Sequence, residues 1–412
     1  MKHVLYLSYD GMTDPLGQSQ VLPYIIGLSK HGYRFTLISF EKSDRLNQHK
    51  EVIEALCKVN NIEWHPLIYT KTPPVISTIR DIRMMGKLAK SLHQKHPFSL
   101  VHCRSYISAL IGLNFKQQLN IPFLFDMRGF WADERIEGGI WKKSNPLFRI
   151  IYSFFKKKER AFFSQSDAIV SLTHKGKKII LDWNIEQVST EKISVIPCCV
   201  DLNQFNLQNA ADTAMKNKLK ASLQVPTDAR IVGYLGSIGT WYMLNEMLAF
   251  FKLYKEKYPN AVFLFISTDP IEHIKNAALL LGIDKDAILQ TACLHSDVPK
   301  YISLFDISVF FIRPSFSKQA SSPTKQGEIM AMGIPIVCNT GVGDTDEIIQ
   351  QYKSGSLVTL SDDASNLSAF NDAINQLEKQ FDQSTSIKGA NDYFSLENGV
   401  ANYKLIYERL IN

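Results

Sequence analysis

A chain of 412 residues exceeds one ordinary hydrophobic core, so two domains are expected. Its 45% hydrophobic and 21% charged residues describe a globular protein and exclude a disordered or fibrous one. The net charge of +6 is uneven: residues 1–205 hold 28 Lys and Arg against 18 Asp and Glu, the remainder 18 against 22, so the halves carry +10 and −4. Opposite signs point to different partners for the two halves. None of the six cysteines, Cys57, Cys103, Cys198, Cys199, Cys293 and Cys338, forms a C-x-x-C or has zinc spacing, which reads as reduced thiols in a cytoplasmic protein. The apolar run in the opening "MKHVLYLSYD" is too short for a signal peptide or a membrane span, and no other stretch reads as either.

In chain order, "HVLYLSY" (His3–Tyr9) reads as a buried strand, followed by a loop with Gly11 and Gly17. A helix follows over Gln20–Gly32, then the strand "RFTLISF" (Arg34–Phe40). The pattern returns about 230 residues later: "RIVGYLGSIG" (Arg230–Gly239) is a strand and glycine loop, Tyr242–Lys257 a helix, and "AVFLFIS" (Ala261–Ser267) a strand. Continuous apolar strands alternating with helices predict parallel sheets covered on both faces. Two such starts predict an α/β protein of two doubly wound, Rossmann-like domains. The polar stretch Asn203–Asp212 reads as the linker, which sets the domains at 1–205 and 206–391, and Asp392–Asn412 reads as a last amphipathic helix. Ligands of such sheets bind beyond the carboxyl ends of the strands, so the expected site is a cleft between the two. The second loop spaces its glycines G-x-x-G-x-x-G, at Gly233, Gly236 and Gly239, not G-x-G-x-x-G, and the next acid, Asp269, lies 30 residues past Gly239. That argues against a nicotinamide dehydrogenase.

"SSPTKQGEIMAMGIPIV" (Ser321–Val337) predicts one short helix feeding a buried strand, with Ser322 as N-cap, Pro323 as first helical residue and Gly333 as the stop. Lys325 then sits in the first turn, where the helix dipole favours an acid. A phosphate on the N–H groups of Thr324 and Lys325 would reverse that penalty. Glu328, one turn on, could accept two hydrogen bonds from a ribose diol. The competing reading is a surface Lys325–Glu328 pair worth about 0.3 kcal/mol.

These residues resemble the helix of retaining glycosyltransferases of family four, with the GT-B fold, which read roughly P-T-K-x-x-E-x-M-A-x-G-x-P-V-V. The likeness extends over most of the chain. "DGMTDPLGQSQVLPY" (Asp10–Tyr24) is similar to the family's first glycine loop, and "FDMRGFWADE" (Phe125–Glu134) to its acceptor-side segment. "ISVIPCCVDLNQF" (Ile193–Phe205) resembles the motif closing the first domain, and "HSDVPKYISLFDISVFFIRPS" (His295–Ser315) the stretch before the donor loop. The resemblance implies that Glu328 binds the ribose of a nucleotide-diphosphate sugar, and that Thr324, Lys325, Gly236 and Ser237 lie by its phosphates. It implies that Gly17 and Gln18 bring backbone N–H groups from the opposite domain, and that the tail helix crosses back to the first domain.

The chain departs from the pattern at four places. Ala320 stands where many members have a glutamate, and Ser237 and Tyr242 where many have an arginine and a lysine. Near "FDMRG", Asp126 and Arg128 stand where a His–Asp pair is usual, and are the catalytic candidates with Lys325. The charge for the leaving diphosphate must then come from Lys325, Lys318 or Arg313. Such transferases show no agreed nucleophile; positive charge and N–H dipoles stabilise the leaving group. No metal or cofactor is expected, and "DTD" (Asp344–Asp346) is not expected to bind one. The implied acceptor is a glycan or a lipid-linked glycan. The alternatives are a nucleotide-sugar epimerase and a non-catalytic sugar-nucleotide-binding subunit.

The basic half contains "FRIIYSFFKKKERAFF" (Phe148–Phe163), with aromatics interleaved with Lys156, Lys157, Lys158 and Arg160. It reads either as a helix on the anionic inner face of a membrane or as a core helix with a solvated basic face. No nucleic-acid-binding motif accompanies the charge.

Overall fold

The computed structural model describes residues 2–226, 228–361 and 366–411. The chain divides into two compact units. The first is Met1–Pro197, Phe316–Ser321 and Leu396–Asn412; the second is Cys198–Ser315 and Ser322–Ser395.

The first unit contains β1 (Lys2–Ser8), β2 (Tyr33–Glu41), β3 (Ile62–Ile68), β4 (Leu100–Arg104), β5 (Phe123–Asp126), β6 (Ala168–Ser171) and β7 (Ile193–Val195). They form one sheet in the order β3-β2-β1-β4-β5-β6-β7, and every pairing is parallel. The second unit contains β8 (Ile231–Leu235), β9 (Val262–Ile266), β10 (Ile288–Thr291), β11 (Ile307–Phe310), β12 (Ile336–Asn339) and β13 (Gly355–Val358). Its sheet runs β10-β9-β8-β11-β12-β13, again all parallel. β4, β5, β6, β8, β9, β11 and β12 are buried along their whole length, as unbroken apolar runs require when helices cover both faces. Strand order reverses between β1 and β4 and between β8 and β11. The loops after β1 and β8 are therefore the switch-point loops, where doubly wound sheets bind ligands.

The observed limits differ from the predicted ones. The first unit ends at Pro197, not 205, because Val200 and Phe205 are buried in the second core and the Val200 N–H donates to the Phe394 carbonyl at 2.7 Å. The predicted tail helix is split at Ser395. Residues 392–394 finish a Gln383–Phe394 helix that packs on the second unit, where Phe394 lies against Gly327. Only the Leu396–Leu410 helix belongs to the first unit, with Val400 against Gly27. The Phe316–Ser321 segment also joins the first unit, which nothing local in its sequence signals. Phe316 stacks on Phe130 at 4.9 Å, and the Gln319 carbonyl accepts the Thr173 hydroxyl at 2.7 Å.

Candidate functional site

In the second unit, the loop after β8 turns at Gly236 (φ +98°), a conformation that glycine adopts without strain. Asp269, after β9, fixes this loop by accepting from the Ile238 N–H at 2.5 Å and the Ser237 hydroxyl at 3.1 Å. The Tyr234 hydroxyl donates to the Ser237 carbonyl at 2.8 Å. A Cβ built on Gly236 would lie 3.7 Å from the Lys325 ammonium, so Gly236, Ser237 and Lys325 form one cluster.

Lys325 belongs to the Thr324–Ala331 helix. The capping expected of Ser322 does not occur. The N-cap is Pro323, and the Ser322 hydroxyl accepts from the Cys198 N–H at 3.2 Å. Thr324 and Lys325 are thus the first two helical residues, whose N–H groups lack intrahelical acceptors. The surface ion pair with Glu328 is also absent, because both residues are buried. The Lys325 ammonium lies 3.6 Å from the Tyr242 ring centroid and 3.9 Å from that of Tyr234, and has no hydrogen-bond partner. Burial pushes its pKa well down, and the Glu328 and Asp269 carboxylates only partly oppose this. Burial also pushes the Tyr234 and Tyr242 hydroxyls up, so both rings stay neutral and offer the electron-rich faces that attract a cation. Tyr242, flagged in the sequence only as a missing cation, is half of the cage holding the remaining one.

One turn on, Glu328 Oε1 lies 3.2 Å from His295 Nε2. The Gln204 amide nitrogen lies 3.1 Å from His295 Nδ1 and donates to the His295 carbonyl at 2.6 Å. With Gln204 donating to Nδ1, the proton of a neutral ring sits on Nε2 and points at Glu328. Sequence reading missed His295, Gln204 and Asp269; the order of the strands, which brings these loops to one edge, was the only available signal. Arg313 is exposed, with its guanidinium 4.9 Å above the Trp241 ring.

In the first unit, Gly17 is inside a short helix over Pro15–Gln20 at a point where a Cβ would fall 2.1 Å from the Gly11 carbonyl oxygen. Buried Glu41 holds this loop by accepting from the Met12 N–H at 2.8 Å, the Thr13 N–H at 3.0 Å and the Thr13 hydroxyl at 2.6 Å. Gly17 keeps a first-turn N–H without an intrahelical acceptor. Gln18 does not match its expected use, since its N–H donates to the Asp14 carbonyl at 3.1 Å and its side chain to the Thr13 carbonyl at 3.2 Å.

Asp126, expected to be catalytic, is fully buried. It accepts from the Tyr403 hydroxyl at 3.0 Å, and lies 3.6 Å from His102 Nε2 and 3.8 Å from Arg128 Nη1. Burial alone would raise its pKa, but Arg128, His102 and Arg104 outweigh it and hold the carboxyl below the usual range. Asp126 thus anchors the last helix through Oδ2, while Oδ1 is buried without a hydrogen-bond partner. Arg128 has φ +58°, a conformation non-glycine residues rarely adopt without a constraint. Lys318 is likewise corrected as a source of leaving-group charge: it lies in the first unit and is salt-bridged to Glu134 at 2.7 Å. Ala320 is fully buried in the first core. Asp344 accepts from the Tyr393 hydroxyl at 2.6 Å and Asp346 from the Gly341 N–H at 3.2 Å. Among the described residues no three His, Cys, Asp or Glu side chains are grouped to hold a metal ion.

Two parallel doubly wound units, each with a switch-point loop, are the architecture of the GT-B class of glycosyltransferases. Residues 21–204 match the family described as Glycosyltransferase Family 4, and residues 215–390 that described as Glycosyl transferases group 1. The chain belongs to the family-four glycosyltransferases. Among solved structures it is similar to the sucrose-phosphate synthase of Thermosynechococcus elongatus, with 16% identity and a TM-score of 0.72 over 100% of this chain and 99% of that one. Anabaena HepE in complex with UDP and glucose is 11% identical, with a TM-score of 0.71 over 99% of this chain and 100% of that one. The UDP-GlcNAc 2-epimerase of Neisseria meningitidis is 13% identical, with a TM-score of 0.59 over 100% of this chain and 99% of that one. At these identities the likeness defines the fold alone. No curated protein matches the chain.

Proposed function

We propose that the protein is a retaining, metal-independent transferase that moves a sugar from a nucleotide diphosphate to a glycan or lipid-linked glycan, acting in the cytoplasm. One observation carries the reading: the buried Lys325 ammonium has no acceptor and sits in the first turn of a helix, beside the Gly236–Ser237 loop and one turn before Glu328. A diphosphate supplies the anion this position lacks, and a ribose diol suits the carboxylate beyond it. As the bond from the sugar to the phosphate oxygen breaks, the electron pair stays on the diphosphate, and Lys325 with the adjacent N–H groups stabilises it. The acceptor hydroxyl takes the sugar and passes its proton to the departing phosphate. Arg313, exposed above Trp241, is a further cation of this unit. Arg128, rather than Asp126, is the residue of the "FDMRG" segment suited to contact substrate.

Incubation with a panel of nucleotide sugars, with and without glycan acceptors and in the presence of chelator, tests this. The expected result is release of the nucleoside diphosphate and a product with the donor's anomeric configuration. Epimerised donor without transfer would replace the reading with an epimerase, and nucleotide binding without turnover would reduce the protein to a binding subunit.

A further inference from the structure

The Pro146–Gln165 helix resolves both readings of the aromatic-basic stretch onto different faces. Phe155, Phe162 and Phe163 point into the first core, and buried Glu159 accepts from the Tyr106 hydroxyl at 2.5 Å. Lys156 belongs to that inner face: it pairs with Asp133 at 2.8 Å and with Glu159, and its ammonium lies 4.9 Å from the Trp183 ring centroid. It therefore drops out of the basic cluster that the sequence suggested for a surface role.

The outer face has a different character. Leu147, Ile150 and Phe154 are exposed by 49%, 67% and 46%. Their spacing of three and four residues puts them in one stripe, which Lys157 and Lys158 continue. Lys157 is exposed beside the stripe, Arg149 and Arg160 are exposed on its flank, and Lys158 reaches over the Phe154 ring at 5.9 Å. Just before the helix, Ile140, Lys142 and Lys143 are exposed as well. The helix has a single acid, Glu159, and it is turned inward. Large apolar side chains and cations share this face, and no acid on the helix offsets them. Scattered exposed apolar residues need no explanation, but three in one stripe flanked by cations, with no exposed acid on the helix, do.

We propose that this face docks the protein on an anionic lipid bilayer, with Leu147, Ile150 and Phe154 entering the headgroup boundary and Arg149, Lys157, Lys158 and Arg160 meeting lipid phosphates. The charge decides between occupants. A second copy of the chain would set like charges against each other, whereas anionic lipid complements them. This is a peripheral contact: among the described residues no helix is long and apolar enough to cross a membrane. It is independent of the donor-site reading, since none of these residues belongs to that site.

Vesicle flotation tests it, comparing phosphatidylcholine alone with phosphatidylcholine containing roughly one-third phosphatidylglycerol. The parent should float with the anionic vesicles at low salt. Replacing Lys157, Lys158 and Arg160 by Gln should lower partition roughly 100-fold, at about fivefold per charge. Replacing Leu147, Ile150 and Phe154 by Ser should lower it at least tenfold, because the buried apolar area is lost. All six positions are wholly or partly exposed, so circular dichroism and melting temperature should match the parent, and donor hydrolysis in detergent-free buffer should be unchanged. Failure of the parent to float, equal flotation of parent and variants, or equal binding to neutral vesicles overturns the assignment. So does a dimer in sedimentation that the Ser variant abolishes.

Discussion

Asp126 and Lys325 are each a buried charge at the carboxyl edge of a parallel sheet, one in each unit, and their surroundings differ in one respect. Around Asp126 cations and a donor are already present: the Tyr403 hydroxyl donates to one carboxylate oxygen, Arg128 and His102 lie within ion-pair distance although Oδ1 has no hydrogen-bond partner, and the carboxyl is held below the usual range. Around Lys325 the nearest groups are the Tyr234 and Tyr242 faces, with Phe310 farther off at 5.9 Å; its ammonium has no acceptor, and burial pushes its pKa down more than Glu328 and Asp269 raise it. A buried charge without partners costs several kcal/mol unless something repays it. In the first unit neighbouring charges offset much of that cost; in the second no charged side chain contacts the ammonium, and the proposed diphosphate would supply the missing anion. Their neighbours in sequence, both matching motifs, gave no sign of which charge was free.

The contrast is broken most directly at Asp126. Asp126→Ala removes the carboxylate that Arg128, His102 and the Tyr403 hydroxyl face, and should cost about 3–5 kcal/mol in urea unfolding. Its native pKa is depressed, so the carboxylate contributes stability above about pH 4 that is lost as the pH falls through the native value. Asp126→Asn should flatten that acid limb. A variant as stable as the parent that turns over slowly would instead restore Asp126 to the chemistry.

Lys325→Met should act in the opposite sense. Turnover should fall about 100-fold or more, on the scale of losing one preorganised donor, with nucleotide affinity falling less. The empty protein should be at least as stable, because an unpaired cation leaves both the interior and the positive end of the helix dipole. The native pKa of Lys325 is lowered, so below about pH 10.4 the unfolded chain holds the proton that the native state releases. The parent's unfolding free energy should therefore rise with pH between the two values, and the Met variant should lack that increment. Destabilised Lys325→Met with normal turnover would make the lysine structural and leave Arg313 as the leaving-group cation.

The smallest effects are expected around Glu328. Glu328→Ala should weaken nucleoside diphosphate binding by about 1.5–3 kcal/mol in calorimetry, the worth of charged hydrogen bonds, with little change in melting temperature. His295→Ala removes only the group orienting that carboxylate, so it should cost about 1 kcal/mol. Unaltered affinity in Glu328→Ala would remove the residue from the site. An altered Glu328 variant beside an unaltered His295 variant would remove only the histidine.

The sequence makes the repeated strand–loop–helix openings legible, because parallel strands buried on both faces leave continuous apolar runs. The helix after Pro323 is legible too, since proline, glycine and a misplaced lysine each act locally. Lys318 was not. Its partner, Glu134, is 184 residues away, and no local pattern places the two together. Lys156 was misread for a related reason. Helical spacing marks which residues share a face, but the inward turn of a lysine depends on Asp133 and Glu159 being there to receive it. Cation sites set by aromatic faces, as at Lys325, leave even less trace, because Tyr234 and Tyr242 serve equally well as ordinary core residues.

The division of the chain has a consequence for how the molecule is made. The first unit closes with the Leu396–Leu410 helix, whose Tyr403 and Tyr407 hydroxyls reach Asp126 and His102 at 3.0 and 2.7 Å. On a ribosome those hydroxyls arrive last, after the whole second unit has emerged. The unit begun first is thus finished last, and the Asp126 and His102 side chains wait without two of their partners throughout synthesis. A gene cut at residue 197 would not yield two proteins; it would leave the first unit without its closing helix and the Phe316–Ser321 segment, with both stranded on the other fragment.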